Sequence, residues 1–129
     1  MISKGAARFM KLIETSGGTL SISEVAVFLG VSEKTVLERL GNVQMLGFRT
    51  SSNVLQFPRF QFDDKKRCVI PGLLDFLGET PGWSAMERIR FLLVRYEPEF
   101  TNDTPMDLVR SGEVGRVAEL ARVYLQQRP

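Results

Sequence analysis

The stretch LSISEVAVFLGVSEKTVLERL, Leu20 to Leu40, constrains the fold of this chain more than any other. Ser21-Ile22-Ser23-Glu24 fits a capping box, in which the Ser hydroxyl takes an orphan N–H at the third helical position and Glu24 reaches back to the cap. A helix should therefore run from about Ile22 to Leu29, with Val25, Ala26, Phe28 and Leu29 as its apolar side. Gly30 permits a sharp turn, and Ser32 caps a second helix that continues to about Leu40. Val36, Leu37 and Leu40 should face inward on it.

Two helices joined so tightly form either a plain structural corner or a helix-turn-helix. The latter needs a small residue where the helices cross, a Gly at the turn and an aliphatic residue that locks the pair. Ala26, Gly30 and Val36 hold those places. The outer surface of the second helix then offers Glu33, Lys34 and Thr35, with Glu38 and Arg39 one turn later, all able to hydrogen-bond to base edges or phosphates. Two features favour the corner: Glu33 and Glu38 would repel phosphate, and Arg39 stands where such motifs usually carry an apolar residue.

On either side the pattern is legible in pieces. Ser3 can cap a first helix to about Thr15, with Ala6, Phe9, Met10 and Ile13 on one face, ended by Gly17-Gly18. After Gly47 the period becomes extended: FRT, SSN and VLQF read as a hairpin, the place of a wing. Arg49, the Ser51-Ser52-Asn53 tip and Arg59 are the donors expected of a phosphate-contacting wing. FPRFQF should continue extended to a turn at Asp63-Asp64, followed by a short strand at RCVI. Helices are expected from Pro71, from Ser84 to about Arg95 with Met86, Ile89, Leu92 and Leu93 buried, from Thr104, and from Glu113 to Gln127. The last should pack on Leu92 and Leu93 through Val114, Val117, Leu120, Ala121 and Tyr124. The fold class is mainly α with a small β-hairpin or sheet (α+β). A winged helix-turn-helix-like lobe over residues 1–67 precedes a helical lobe over 68–129.

Composition narrows the function. The 129 residues are 43% apolar and 25% charged, as in ordinary globular proteins. There is no His and one Cys, which removes the commonest general base and metal ligand and any internal disulfide. An enzyme is therefore not expected, nor a cofactor or metal site; Asp63-Asp64 reads as a turn and Cys68 as a core thiol. No apolar run approaches the ~20 residues a bilayer requires, so no membrane association is expected and the location should be cytoplasmic. The net charge of +2 is uneven, since the Lys and Arg excess lies in residues 1–67. The FPRFQF segment with Lys65, Lys66 and Arg67 raises a rival, RNA bound by aromatic stacking. Buried strand aromatics explain the same pattern.

Three segments, SEVAVFLGVSEKTVLERL, LQFPRFQFDDKKRCVIPGL and TPMDLVRSGEVGRVAELA, occur in an order that resembles bacterial helix-turn-helix antitoxin-like proteins with an Xre/MbcA/ParS toxin-binding domain. Phe57-Pro58, Gln61-Phe62 and Pro71-Gly72-Leu73 carry the likeness most specifically. Thr104-Pro105, Leu108, Gly112, Val117 and Ala121 extend it. Asn102-Asp103 depart from it where relatives often carry Gly and a basic residue. The resemblance implies homodimers, operator DNA bound through the first lobe, and a protein toxin bound by the second.

The expected function is thus a non-enzymatic regulator of transcription that binds double-stranded DNA, with Glu33, Lys34, Thr35, Glu38, Arg39, Arg49 and Arg59 at the interface. A protein partner should touch Phe100, Asn102, Asp103, Thr104 and Arg128. The alternatives are a protein adaptor that does not bind DNA and an RNA-binding factor. Trp83 is read either as an interface anchor or as core.

Overall fold

A computed structural model describes residues 4–95 and 103–127. The helices are α1 (Lys4–Thr15), α2 (Ile22–Leu29), α3 (Glu33–Gly41), α4 (Pro71–Glu79), α5 (Ala85–Leu93), α6 (Pro105–Arg110) and α7 (Val114–Gln127). The strands are β1 (Thr19–Leu20), β2 (Phe48–Arg49), β3 (Leu55–Pro58), β4 (Phe62–Asp63) and β5 (Cys68–Val69). The protein is mainly helical with small antiparallel sheets, an α+β fold, and its first lobe has the element order of a winged helix-turn-helix. The chain divides into two compact units after Val69. Residues 68 and 69 belong to the first unit because Cys68 and Val69 pair with Asp63 and Phe62.

In the first unit, β3 is the central strand of a sheet ordered β1-β3-β2. Thr19 and Leu20 pair with Pro58 and Phe57, and Phe48 and Arg49 with Gln56 and Leu55. Pro58 lies at the end of its strand, where loss of a backbone donor is tolerated. The helices close over this sheet through Phe9 and Ile13 of α1, Val25 and Ala26 of α2 and Val36 of α3, all buried, while Met10 of α1 is exposed. The expected extended run through FPRFQF breaks into a 3-10 turn at Arg59–Gln61. The turn puts Phe60 and Gln61 inside, together with Phe57 and Phe62. Buried Gln61 then completes backbone pairing that no strand supplies. Its side-chain amide donates to the carbonyls of Leu46 (2.8 Å) and Pro58 (3.0 Å), and its carbonyl accepts the Leu46 N–H at 2.7 Å.

The second unit is helical. Phe76 of α4 stacks on Phe91 of α5 with ring centroids 5.5 Å apart, and Trp83 meets both rings edge-on. Tyr124 of α7 closes the cluster at 5.3 Å from Trp83, so Trp83 is core and not an exposed anchor. Helix α7 packs chiefly on α4 and α6, and Phe91 and Tyr124 link it to α5. Met86, expected inside, is exposed, and Leu93 is half-buried. Arg88 is buried instead: its Nε donates to the Thr80 hydroxyl at 3.0 Å, and it also donates to the Thr80 carbonyl at the end of α4. A cation at that end complements the helix dipole, while burial lowers the Arg88 pKa from its ordinary value.

Helix α3 ends in an unusual way. The Gln44 N–H reaches the Arg39 carbonyl at 2.9 Å and the Val43 N–H reaches that of Leu40 at 3.1 Å, with Val43 at φ 56°. That is the place glycine normally takes at a helix end, and a β-branched residue there is strained by about 1–2 kcal/mol. Val43→Gly removes this strain at the cost of a side chain that is 44% exposed. With the greater chain entropy of Gly and this partial loss of burial allowed for, the variant should be at least as stable to denaturant as the parent, where removal of a half-buried Val from an unstrained position would cost stability. Destabilisation by the substitution would show that the left-handed residue is not strained.

Candidate nucleic-acid interface

The corner between α2 and α3 is built from its caps inward. The Ser21 hydroxyl accepts the Glu24 N–H at 3.1 Å and the Glu24 carboxylate accepts the Ser21 N–H at 2.9 Å, the reciprocal box expected from the sequence. Gly30 sits at φ 70°, ψ 33°, a left-handed conformation that disfavours side chains. This lets the Val31 N–H turn back to the Ala26 carbonyl at 3.0 Å. Ser32 then caps α3 by accepting the Thr35 N–H at 3.1 Å. Val25 and Val36 are fully buried and Ala26 nearly so, which locks the two helices.

The expected interface residues on α3 differ in exposure. Glu33, Lys34 and Glu38 are exposed on α3. The Glu33 carboxylate accepts the Ser23 hydroxyl at 3.2 Å, joining the starts of α2 and α3. Thr35 is half-buried and its hydroxyl lies 3.0 Å from that of Ser32, so it serves the helix cap. Arg39 is half-buried beside Leu40, which packs on the core of the unit. Leu37, expected inward, is 48% exposed. Val36 and Leu40, four residues apart, share the inner face, and one further residue of rotation carries Leu37 out.

The wing holds Arg49 but not Arg59. Arg49 is exposed on β2, and its guanidinium donates to the Asn53 carbonyl at 3.2 Å, bracing the tip. Asn53 takes a left-handed conformation at φ 62°, which Asn tolerates in turns. Arg59 lies beyond the far end of β3 from this tip, about 13 Å along a four-residue strand. Its backbone N–H bonds to Gly18 at 3.0 Å, and its side chain lines an open depression of about 390 Å³ with Leu20, Ser23, Glu24, Val27, Phe28 and Arg67. Arg59 therefore belongs to this depression and not to the wing: it follows the hairpin in sequence and lies at the end of β3 away from the tip.

Arg67 is a residue whose placement the sequence did not reveal. It takes φ 53°, its Nε donates to the Phe28 carbonyl at 3.3 Å, and its guanidinium sits 4.8 Å from the Phe28 ring centroid. Its partner is 39 residues away, so no local pattern announces it. The Asp63 carboxylate accepts the N–H groups of Lys65 and Lys66, which lower its pKa and make it a turn residue. The rings of Phe57, Phe60 and Phe62 are buried, so they form no stacking platform for RNA bases.

Of the residues expected to meet a protein partner, Phe100, Asn102 and Arg128 lie outside the described residues. Asp103 is exposed. Thr104 caps α6 in a reciprocal box with Asp107, at 3.0 and 3.2 Å.

No family model and no curated protein matches the chain. Among solved structures, the NMR structure of Rv2175c is similar, with a TM-score of 0.67 and 20% identity over 81% of this chain and 79% of that one. At that identity the likeness establishes a shared fold.

The capping box makes the corner sensitive to pH. Hydrogen bonds from the backbone and side chain of Ser21, with a smaller contribution from the Arg59 charge, lower the Glu24 pKa. A depressed carboxylate pKa contributes stability above the unfolded value, and that contribution is lost as pH falls through the folded value. Glu24→Gln should therefore be less stable than the parent at neutral pH, and thermal melts of the two should converge below pH 4.5, the ordinary carboxyl value. A gap that persists in acid would assign the effect to something other than the ionised cap.

Proposed function

We propose that this protein is a non-enzymatic, sequence-specific DNA-binding regulator of transcription. The observation that carries the reading is the order α1-β1-α2-α3-β2-β3 with the sheet β1-β3-β2, which exposes the outer face of α3 and a hairpin bearing Arg49 in one unit. Lys34 on α3 and Arg49 on β2 are exposed, and neither has an ion-pair partner among the described residues. Lys34, with Glu33 and Glu38 beside it, reads base edges in the major groove, and Arg49 holds a phosphate. Arg39 contributes a further phosphate contact from the inner edge of α3.

The reading includes a homodimer, which sets two copies of α3 into successive major grooves about 34 Å apart. It also includes a protein partner for the second unit, a toxin if the antitoxin resemblance holds. Leu74 on α4 and Val123 and Leu125 on α7 are exposed apolar side chains on helices that pack together, and a partner would cover them. The proposed site of action is the cytoplasm; among the described residues no helix is long and apolar enough to cross a membrane.

The test is a binding titration against duplexes selected from a random pool. Lys34→Ala should cost about 1–3 kcal/mol and relax the preference at one position. Arg49→Ala should weaken all duplexes alike and reduce the slope of log affinity against log salt by about 1. Unchanged binding by both variants would remove α3 and the wing from the interface.

A further inference from the structure

Two residues on the outer face of α3 lie outside the packed core. Leu37 is 48% exposed although the other large aliphatic residues of the helix, Val36 and Leu40, turn inward. At 100° per residue, Leu37 falls between Glu33 and Lys34 on the helix surface, with Gly41 one turn further along the same line. Gly41 is also unexplained by the fold. Its φ lies outside the left-handed region, and a Cβ placed on it would meet nothing within 4 Å. A helical position with room for a side chain and no need of glycine is one where Ala would be more stable.

A methyl-bearing side chain followed by a bare stretch of backbone suits one feature of the major groove. Among the four bases only thymine presents a methyl group there, and aliphatic side chains recognise it by apolar contact. A helix without a side chain at Gly41 lies closer to the groove floor, which brings Leu37 within reach of that methyl. Resting on the DNA-binding reading above, we propose that Leu37 reads a thymine 5-methyl group in the operator and that Gly41 permits the close approach. Leu37 then supplies specificity through burial on binding, and its exposure in the free protein is the counterpart of that role.

The experiment uses the full chain and a duplex selected by it from a random pool, in which each thymine in turn is replaced by deoxyuridine. The replacement removes one methyl group and leaves base pairing intact. The parent should lose about fourfold in affinity at one or two positions, the worth of a single buried methyl-sized group. Leu37→Ala should bind the thymine duplex more weakly and bind the thymine and uracil duplexes equally, with only a small change in melting temperature because Leu37 is 48% exposed and not among the residues packed on the core. Gly41→Ala should melt no lower than the parent and bind several-fold more weakly. If the parent selects a duplex but tolerates uracil everywhere, or if Leu37→Ala keeps the uracil penalty, the thymine contact is wrong while DNA binding stands. If Gly41→Ala binds as the parent does, the close approach is wrong. If no duplex is selected at all, the DNA reading fails and this inference with it.

Discussion

The packing of α2 against α3 through Val25, Ala26 and Val36 is the contact on which the first unit depends. It requires a turn of almost no length, and that turn requires Gly30 in a left-handed conformation. Once the corner is fixed, the inner faces of both helices are committed to the core around Phe57. The outer face of α3 is thereby committed to solvent. The polar character of Glu33, Lys34 and Glu38 follows from that division, and so does the anomaly of Leu37.

The sheet has the complementary task of placing the hairpin that bears Arg49 in the same unit. β3 is the shared strand: one edge takes β1 and the other takes β2. A buried Gln61 fastens the segment after it to Leu46 with three hydrogen bonds to backbone, counting the one to Pro58. Buried polar groups are costly unless every partner is present, and here no described buried side-chain nitrogen or oxygen lacks one. That closed network is how a chain with strands of two to four residues holds a defined register.

What was readable beforehand followed from local rules. The capping box at Ser21, the caps at Ser32, Ser84 and Thr104, the Pro71 helix start and the glycine corner all involve residues within a few positions of each other, and the structure places each as the local chemistry dictates. The failures were non-local. FPRFQF alternates like a strand, but burying Phe60 and Gln61 together forces a 3-10 turn. Arg59 is next to the wing in sequence and at the opposite end of its strand in space. Arg67 packs on a helix 39 residues away. Glu33, Lys34, Glu38 and Arg49 are exposed, as their spacing on a helix and a hairpin strand leads one to expect, whereas the Thr35 hydroxyl pairs with Ser32 at its own helix cap.

The central claim is that nucleic acid meets the outer face of α3 and the β2–β3 hairpin. Backbone amide shifts followed by NMR while a selected duplex is titrated into the full chain test this most directly. The largest changes should fall at residues 33–41 and 49–54, and they should shrink as salt is raised, because phosphate contacts release counterions. Changes confined to residues 70–127, or to the turn at residues 64–67, would contradict the account.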